Sequence, residues 1–401
     1  MREARNINKG RSWEYRVHRA VFLSGWFARR NINLRELVHG SPQTMAEIDI
    51  FAIDFDASLT PQTLVGECKN RKGGAKEADR VIWLMGVKQV LRCQHLLFAK
   101  PTIAGSVYSW ARPYNVLLWD EAAIQDVEQR FGVSPTDGYI GSYNVDLIEG
   151  EAAAALKTAS TDVRFRRAHD FIANSFWYSG NSSRAKRLPA YFEVLSQVRR
   201  LSPRQTDFLV AEGLIALLVS ALLTAGLMQR ISPARAVTQL MDGFASGAAS
   251  ATVLREIAGR ADDYYRDALA RVAKTTSTGV KPMDIPRLVD HVAQPPSWLT
   301  EYLSLARQVS ESPTHATQLL RLSDLLLFER MVYGNESVNL SEFVSGPVDE
   351  LLRLVQLAAH FLRRVWHVEA ELLERLLALE GVDAGKGEMP AQQLVLPQNS
   401  D

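Results

Sequence analysis

The spacing of apolar and polar positions changes near residue 135 and divides the chain in two. Before it, short helical and strand-like patterns alternate. Trp13, Val17, Ala20, Val21 and Ser24 recur at helical spacing behind Ser12 as a cap, and Gly25 closes this first helix. WFARR (26–30) reads as a short strand. From Met45 to Ile53 the period is two, with Ile48, Ile50 and Ala52 on one face and Glu47, Asp49 and Phe51 on the other. DFDASLTPQ is a loop and TLVGECK a second strand of this type. Residues 76–92 read as a helix, HLLF as a buried strand, 105–112 as a short helix, VLLW as another buried strand and 121–130 as a closing helix. This order predicts an α/β domain over 1–133, a mixed sheet flanked by helices.

SPTDGYIGSYN (134–144) has linker composition, and a linker is expected over 134–149. From about 150 to 380 nearly everything has helical periodicity without a fixed repeat, which predicts a mostly α-helical second domain. Residues 381–401 read as a flexible tail. Phe208 to Met228 carries Glu212 as its single charge and approaches the length of a membrane span. With an acid inside it and amphipathic neighbours, the segment is expected to be the central buried helix of the domain, not a membrane anchor.

Composition narrows the class. The 401 residues are 47% hydrophobic and 23% charged, which excludes a disordered or low-complexity chain. Two cysteines, Cys68 and Cys93, exclude a disulfide scaffold. They fit a reducing compartment, and the charged N-terminus fits a cytoplasmic location. The net charge of +1 is unevenly spread: residues 1–130 hold 19 Lys/Arg and 14 Asp/Glu, and the remainder 27 and 31. A basic front hints at a polyanionic partner, although a solvated basic face has the same composition. There is no phosphate-binding glycine loop, no G-x-S-x-G elbow and no dinucleotide fingerprint, so ATPase, serine hydrolase and nicotinamide oxidoreductase readings have no support.

Chemistry concentrates on Asp49, Glu67 and Lys69. Glu67 and Lys69 stand two apart on one strand and share a face. If the two alternating strands pair across the 54–62 loop, Asp49 lies opposite Glu67, with Cβ atoms roughly 4.5–5.5 Å apart. Two carboxylates at that spacing can share one hard cation such as Mg²⁺, and a lysine beside them can orient or help activate a water and offset charge at a phosphate. An acid, any residue, then lysine is expected about once by chance in a chain of this composition. It occurs once, and its placement after an alternating strand and before a basic helix gives it weight.

These residues resemble the restriction-endonuclease-like PD-(D/E)xK nucleases, over about residues 8–131. The first helix carries Gly10-x-x-x-Glu14 and closes on Gly25-Trp26. Glu47-Ile48-Asp49-Ile50 resembles the metal-binding acid at the start of the family's hairpin, and Leu64-Val65-Gly66-Glu67-Cys68-Lys69 its E-x-K strand. HLLF, Ser109-Trp110-Ala111 and VLLWDEAAI are similar to the closing half of the Mrr-like branch. The proline of the family name is absent. Gln89 stands where some branches carry a glutamine, without the accompanying tyrosine. The resemblance implies a metal-dependent DNA endonuclease with Mg²⁺ (or Mn²⁺) on Asp49 and Glu67, Lys69 as catalytic lysine and Glu14 as auxiliary ligand. Arg71, Lys72, Lys76 and Gln89 are the expected nucleic-acid contacts, and the layout resembles effectors of restriction or anti-phage defence.

Plainer alternatives stand beside each assignment. Asp49 and Glu67 could be edge charges facing water, Glu14 could pair with His18, and the basic loop around Gly73-Gly74 could be merely solvated. Cys68, alternating away from the acids, is expected in the core. The basic and aromatic residues between Arg164 and Arg187 could hold nucleic acid or simply form a polar and a core face. His360 and His367 lack further ligands for zinc. The whole chain could instead be a non-catalytic nucleic-acid-binding module or an assembly subunit. A homo-oligomer or a partner subunit is expected to dock through residues 150–380.

Overall fold

The computed structural model describes residues 9–38, 41–70, 77–135, 141–143, 145–246, 251–275, 286–292, 294–311, 313–335 and 348–377. Arg71, Lys72 and Lys76, the tail from 381 and most of 136–144 lie outside them. Helix α1 (Lys9–Leu23) buries Trp13, Val17, Ala20 and Val21, the helical stripe of the sequence. It stops where Gly25 takes φ +104, a conformation that suits a residue without Cβ, and Trp26 N–H closes onto the Val21 carbonyl at 3.3 Å.

Five strands among the described residues form one sheet in sequence order: β1 (Phe27–Val38), β2 (Ser41–Phe55), β3 (Pro61–Cys68), β4 (His95–Ala99) and β5 (Val116–Trp119). The first three form an antiparallel meander, and β4 and β5 extend it in parallel. Helix α2 (Glu77–Leu91) makes the crossover from β3 to β4, α3 (Gly105–Ala111) that from β4 to β5, and α4 (Glu121–Arg130) closes the unit against α1. Arg16 of α1 forks onto Glu128 of α4 at 3.0 and 2.8 Å. A mixed sheet flanked by helices, followed by a helical region, is the expected architecture.

β1 is longer than WFARR suggested, because its polar outer side is covered. As the edge strand it presents free N–H groups. The N–H of Asn33 reaches Asn174 Oδ1 at 2.8 Å and that of Arg35 reaches the Tyr178 hydroxyl at 3.1 Å.

The helical region comprises α5 (Val145–Thr158), α6 (Val163–Asp170), a π-helical turn at Phe171–Ser175, α7 (Phe176–Tyr178), α8 (Asn181–Gln197), α9 (Pro203–Arg230), α10 (Pro233–Ser246) and α11 (Ala251–Thr275). It continues with α12 (Leu288–His291), α13 (Leu299–Ser310), α14 (Pro313–Leu325) running into a second π-helical stretch, α15 (Val348–Val365) and α16 (Ala370–Leu377). α9 contains the apolar segment and is the one described helix long and apolar enough to cross a membrane; 89% of its most apolar stretch is buried inside the protein. Its internal Ser220 and Thr224 hydroxyls each lie 2.9 Å from the Tyr302 hydroxyl of α13, so they are satisfied within the bundle. Phe171, Phe176 and Trp177 are buried, Arg184 donates to the Phe176 and Trp177 carbonyls and Arg187 stacks on Phe171. That segment therefore presents a core face, not a stacking platform.

The two regions share one hydrophobic core. Residues 141–143, within the stretch expected as a linker, are buried: Gly141 N–H donates to Glu329 and Ser142 N–H to Asp324. Leu59, at φ +55 in the β2–β3 turn, is fully buried against α9, where a Cβ on Gly226 would meet the Leu59 carbonyl oxygen at 2.0 Å.

Candidate active site

Strand pairing assembles the site. β2 and β3 are in register through Ile50 opposite Gly66, and one step further Asp49 faces Glu67. β4 runs parallel to β3 with Glu67 beside Phe98 and Cys68 beside Ala99, so the acids sit at the carboxyl ends of the parallel strands, where open α/β sheets place ligand sites. Asp49 Oδ2 accepts the Cys68 N–H at 2.7 Å, and Lys69 N–H bonds to the Ala99 carbonyl at 2.9 Å. These two backbone bonds aim the acids and the lysine at a common point.

Lys69 Nζ lies 2.6 Å from Glu67 Oε1 and 3.6 Å from Asp49 Oδ2, and Arg80 of α2 approaches the same Glu67 oxygen at 3.6 Å. The Glu67 side chain is 3% exposed, whereas Lys69 and Arg80 are each 39% exposed. Glu67 Oε1 is buried and takes both cations, Lys69 at hydrogen-bond distance and Arg80 further off. Burial, then the Asp49 charge, pushes the Glu67 carboxyl above its ordinary value against the pull of Lys69 and Arg80. Burial works against the Lys69 charge, but Glu67 and Asp49 outweigh it and raise its pKa, so it is an ammonium at neutral pH.

Glu14 on α1 stands within electrostatic reach of Asp49 and Lys69 and pairs with Arg30 of β1 at 3.2 Å. Burial raises its pKa, with Arg30 opposing. His18 is not its partner; that ring is buried against Tyr143 at 4.7 Å. Cys68 is 2% exposed and burial drives its thiol far above the ordinary range, so it is a core residue and no nucleophile. Gln89 is exposed on α2, nine residues beyond Arg80 and about 13 Å further along the helix; the structure does not bring it to the acids.

Asp49, Glu67, Lys69 and Glu14 therefore come together. Arg30 was missed by the sequence reading; the signal was its place in an Arg-Arg pair on a strand, which sends neighbours to opposite faces. Among the described residues no three His, Cys, Asp or Glu side chains cluster as a metal cage. Two facing carboxylates nevertheless suit a hard cation that keeps most of its waters. The Lys69 ammonium now stands where both carboxylates converge. Compared with family models, curated proteins and solved structures, the chain finds no match.

Proposed function

We propose that this chain is a metal-dependent DNA endonuclease built on a PD-(D/E)xK-type site. The observation that carries the reading is the convergence of Asp49 and Glu67 on the Lys69 ammonium at the carboxyl end of β3. Asp49 and Glu67 would hold Mg²⁺ or Mn²⁺, which supplies charge neutralisation at a phosphate and a more acidic bound water. Lys69, protonated and half-exposed, donates to the attacking water or to a phosphate oxygen and offsets the charge that builds there. Arg80 adds a second cation beside Glu67. Glu14, held by Arg30, is an auxiliary acceptor for a water. With no base-reading module among the described residues of the helical region, target choice falls to a partner, an oligomer or a signal. That layout fits the effector of a cytoplasmic restriction or anti-phage system. The test is cleavage of plasmid and linear DNA with Mg²⁺ or Mn²⁺ by wild type, Glu67→Ala and Lys69→Ala. Metal-dependent cutting by wild type alone is expected; equal cutting by all three overturns the assignment.

A second reading, an assembly subunit, is favoured by α11. Val253, Ile257, Tyr264, Tyr265, Leu269 and Val272 are exposed along it at 45–74%. An apolar stripe of this kind suits a partner or a second copy. Sedimentation of wild type against Ile257→Asp/Leu269→Asp tests it, with dissociation expected on substitution. The two readings are compatible, since an effector can also assemble.

A further inference from the structure

Between the two halves, against β1, lies a cavity of about 180 Å³ that the candidate active site does not use. Its wall is mostly apolar, with Ile172, Trp177 and Phe208 from the helical region. Four polar residues of the α/β region complete it: His18 from α1 and Arg29, Arg30 and Asn31 from β1. This is the usual constitution of a small-molecule site, an apolar enclosure with a few convergent polar groups.

The unused hydrogen-bonding capacity identifies the ligand. Two acids, Glu149 and Glu212, also line the cavity, and both are engaged: Glu212 pairs with Arg29 at 3.3 Å, and Glu149 meets Arg30 at 3.8 Å and Asn31 at 3.4 Å. The unspent atoms are on the other side of the ledger. Arg29 Nε and Arg30 Nε and Nη1 are buried without a hydrogen-bond partner. His18 is 2% exposed, and burial holds its ring neutral despite the Ala28 carbonyl alongside it. The one N–H of the neutral ring stands at that carbonyl, so the free donors are those on the guanidinium groups, and they carry charge. Charged donors bind an ionised acceptor more strongly than a neutral one.

We propose that this cavity binds a small amphipathic molecule with a flat apolar body and one compact anionic head, such as a carboxylate. The body lies among Ile172, Trp177 and Phe208, and the head accepts from Arg30 and Arg29. The site stands whether or not the chain cuts DNA, since none of its contacts needs a metal or a phosphodiester.

The test is calorimetric titration of the full-length protein with benzoate and with benzylamine. Benzoate is expected to saturate one site with a dissociation constant in the millimolar range typical of fragments, and benzylamine to show no binding. Arg30→Met, which removes the donors and keeps the stem, and Ala152→Leu, which fills the space, are each expected to weaken benzoate at least about tenfold. Equal binding of both probes, no binding of benzoate, or unchanged binding in both variants overturns the proposal. If a variant does not fold, crystals of wild type soaked in 4-bromobenzoate decide the matter. An anomalous bromine peak between Trp177 and Phe208 supports the site, and soaked crystals without one there refute it.

Discussion

Two clusters of charge lie on either side of β1, and they are built in opposite ways. At the seam with the helical region, Arg29 donates to Asp324 at 3.0 Å, to the Ser142 hydroxyl at 2.9 Å and to Glu212 at 3.3 Å, while its guanidinium stacks over Phe27. Asp324 is fully buried and also takes the Ser142 N–H. At the strand ends, Lys69 reaches Glu67 at 2.6 Å and Arg80 at 3.6 Å, and both cations remain 39% exposed. Both clusters oppose acids to cations. At the seam both terminal nitrogens of Arg29 are met by Asp324, Ser142 and Glu212, which is the signature of structure. The strand-end cluster keeps two facing carboxylates beside solvent-reachable cations, which is the signature of a site open to a ligand.

The largest expected effect separates the two most sharply. Glu67→Ala and Lys69→Ala should each reduce metal-dependent DNA cleavage by about a thousandfold or more, while the thermal midpoint stays near that of wild type. Arg29→Met should do the reverse. It leaves Asp324 and Glu212 buried without their cation and should cost about 3–5 kcal/mol in denaturant unfolding, with cleavage per folded molecule retained. Gly226→Ala drives a methyl into the Leu59 carbonyl and should cost about 1–3 kcal/mol by pushing α9 off the β2–β3 turn.

Asp54, in β2 facing Arg321, should report on the seam through pH. Burial raises its pKa to about 6 from the ordinary 3.8, against the pull of Arg321. The folded chain thus holds this proton more tightly than the unfolded one, so stability falls as pH rises from about 4 to about 6. Asp54→Asn should flatten that slope and raise stability at pH 7.5 by about 1–2 kcal/mol in urea titrations. The smallest effect is expected at Glu14, where Glu14→Gln should slow cleavage about tenfold. The acid limb of the rate profile should persist in that variant, because Glu67, whose carboxyl is also raised, must still lose its proton before a metal can bind. A limb that vanishes with Glu14 would move the metal ligand from β3 to α1.

Much of the α/β half was legible from residue spacing. The stripe of Trp13, Val17, Ala20 and Val21 marked α1, the period of two from Met45 to Ile53 marked β2, and the pairing of that strand with β3 followed from the short loop between them. Asp49, Glu67 and Lys69 were legible because a hairpin converts sequence distance into facing positions. β1 was underestimated because polar residues at 29, 31, 33 and 35 conceal a strand whose outer edge is covered by Asn174 and Tyr178. The stretch 134–149 read as linker because Gly, Ser and Pro mark chain reversals whether or not the turn is later buried. Here Asp324 and Glu329 bury 141–143 by capping its N–H groups.

Local pattern by itself determined most of the elements, the mixed sheet, the buried fate of α9 and the pair of facing carboxylates, because each depends on periods of two or 3.6 residues and on turns a few residues long. Tertiary structure alone decided which cations meet those carboxylates, that Arg30 restrains Glu14, that Arg29 ties β1 to helices 183 and 295 residues away, and that a cavity lies between the halves. Such contacts carry no periodic trace. They exist only when two surfaces of the folded chain bring distant polar groups into the same dry space, where each must find a partner or wait for one.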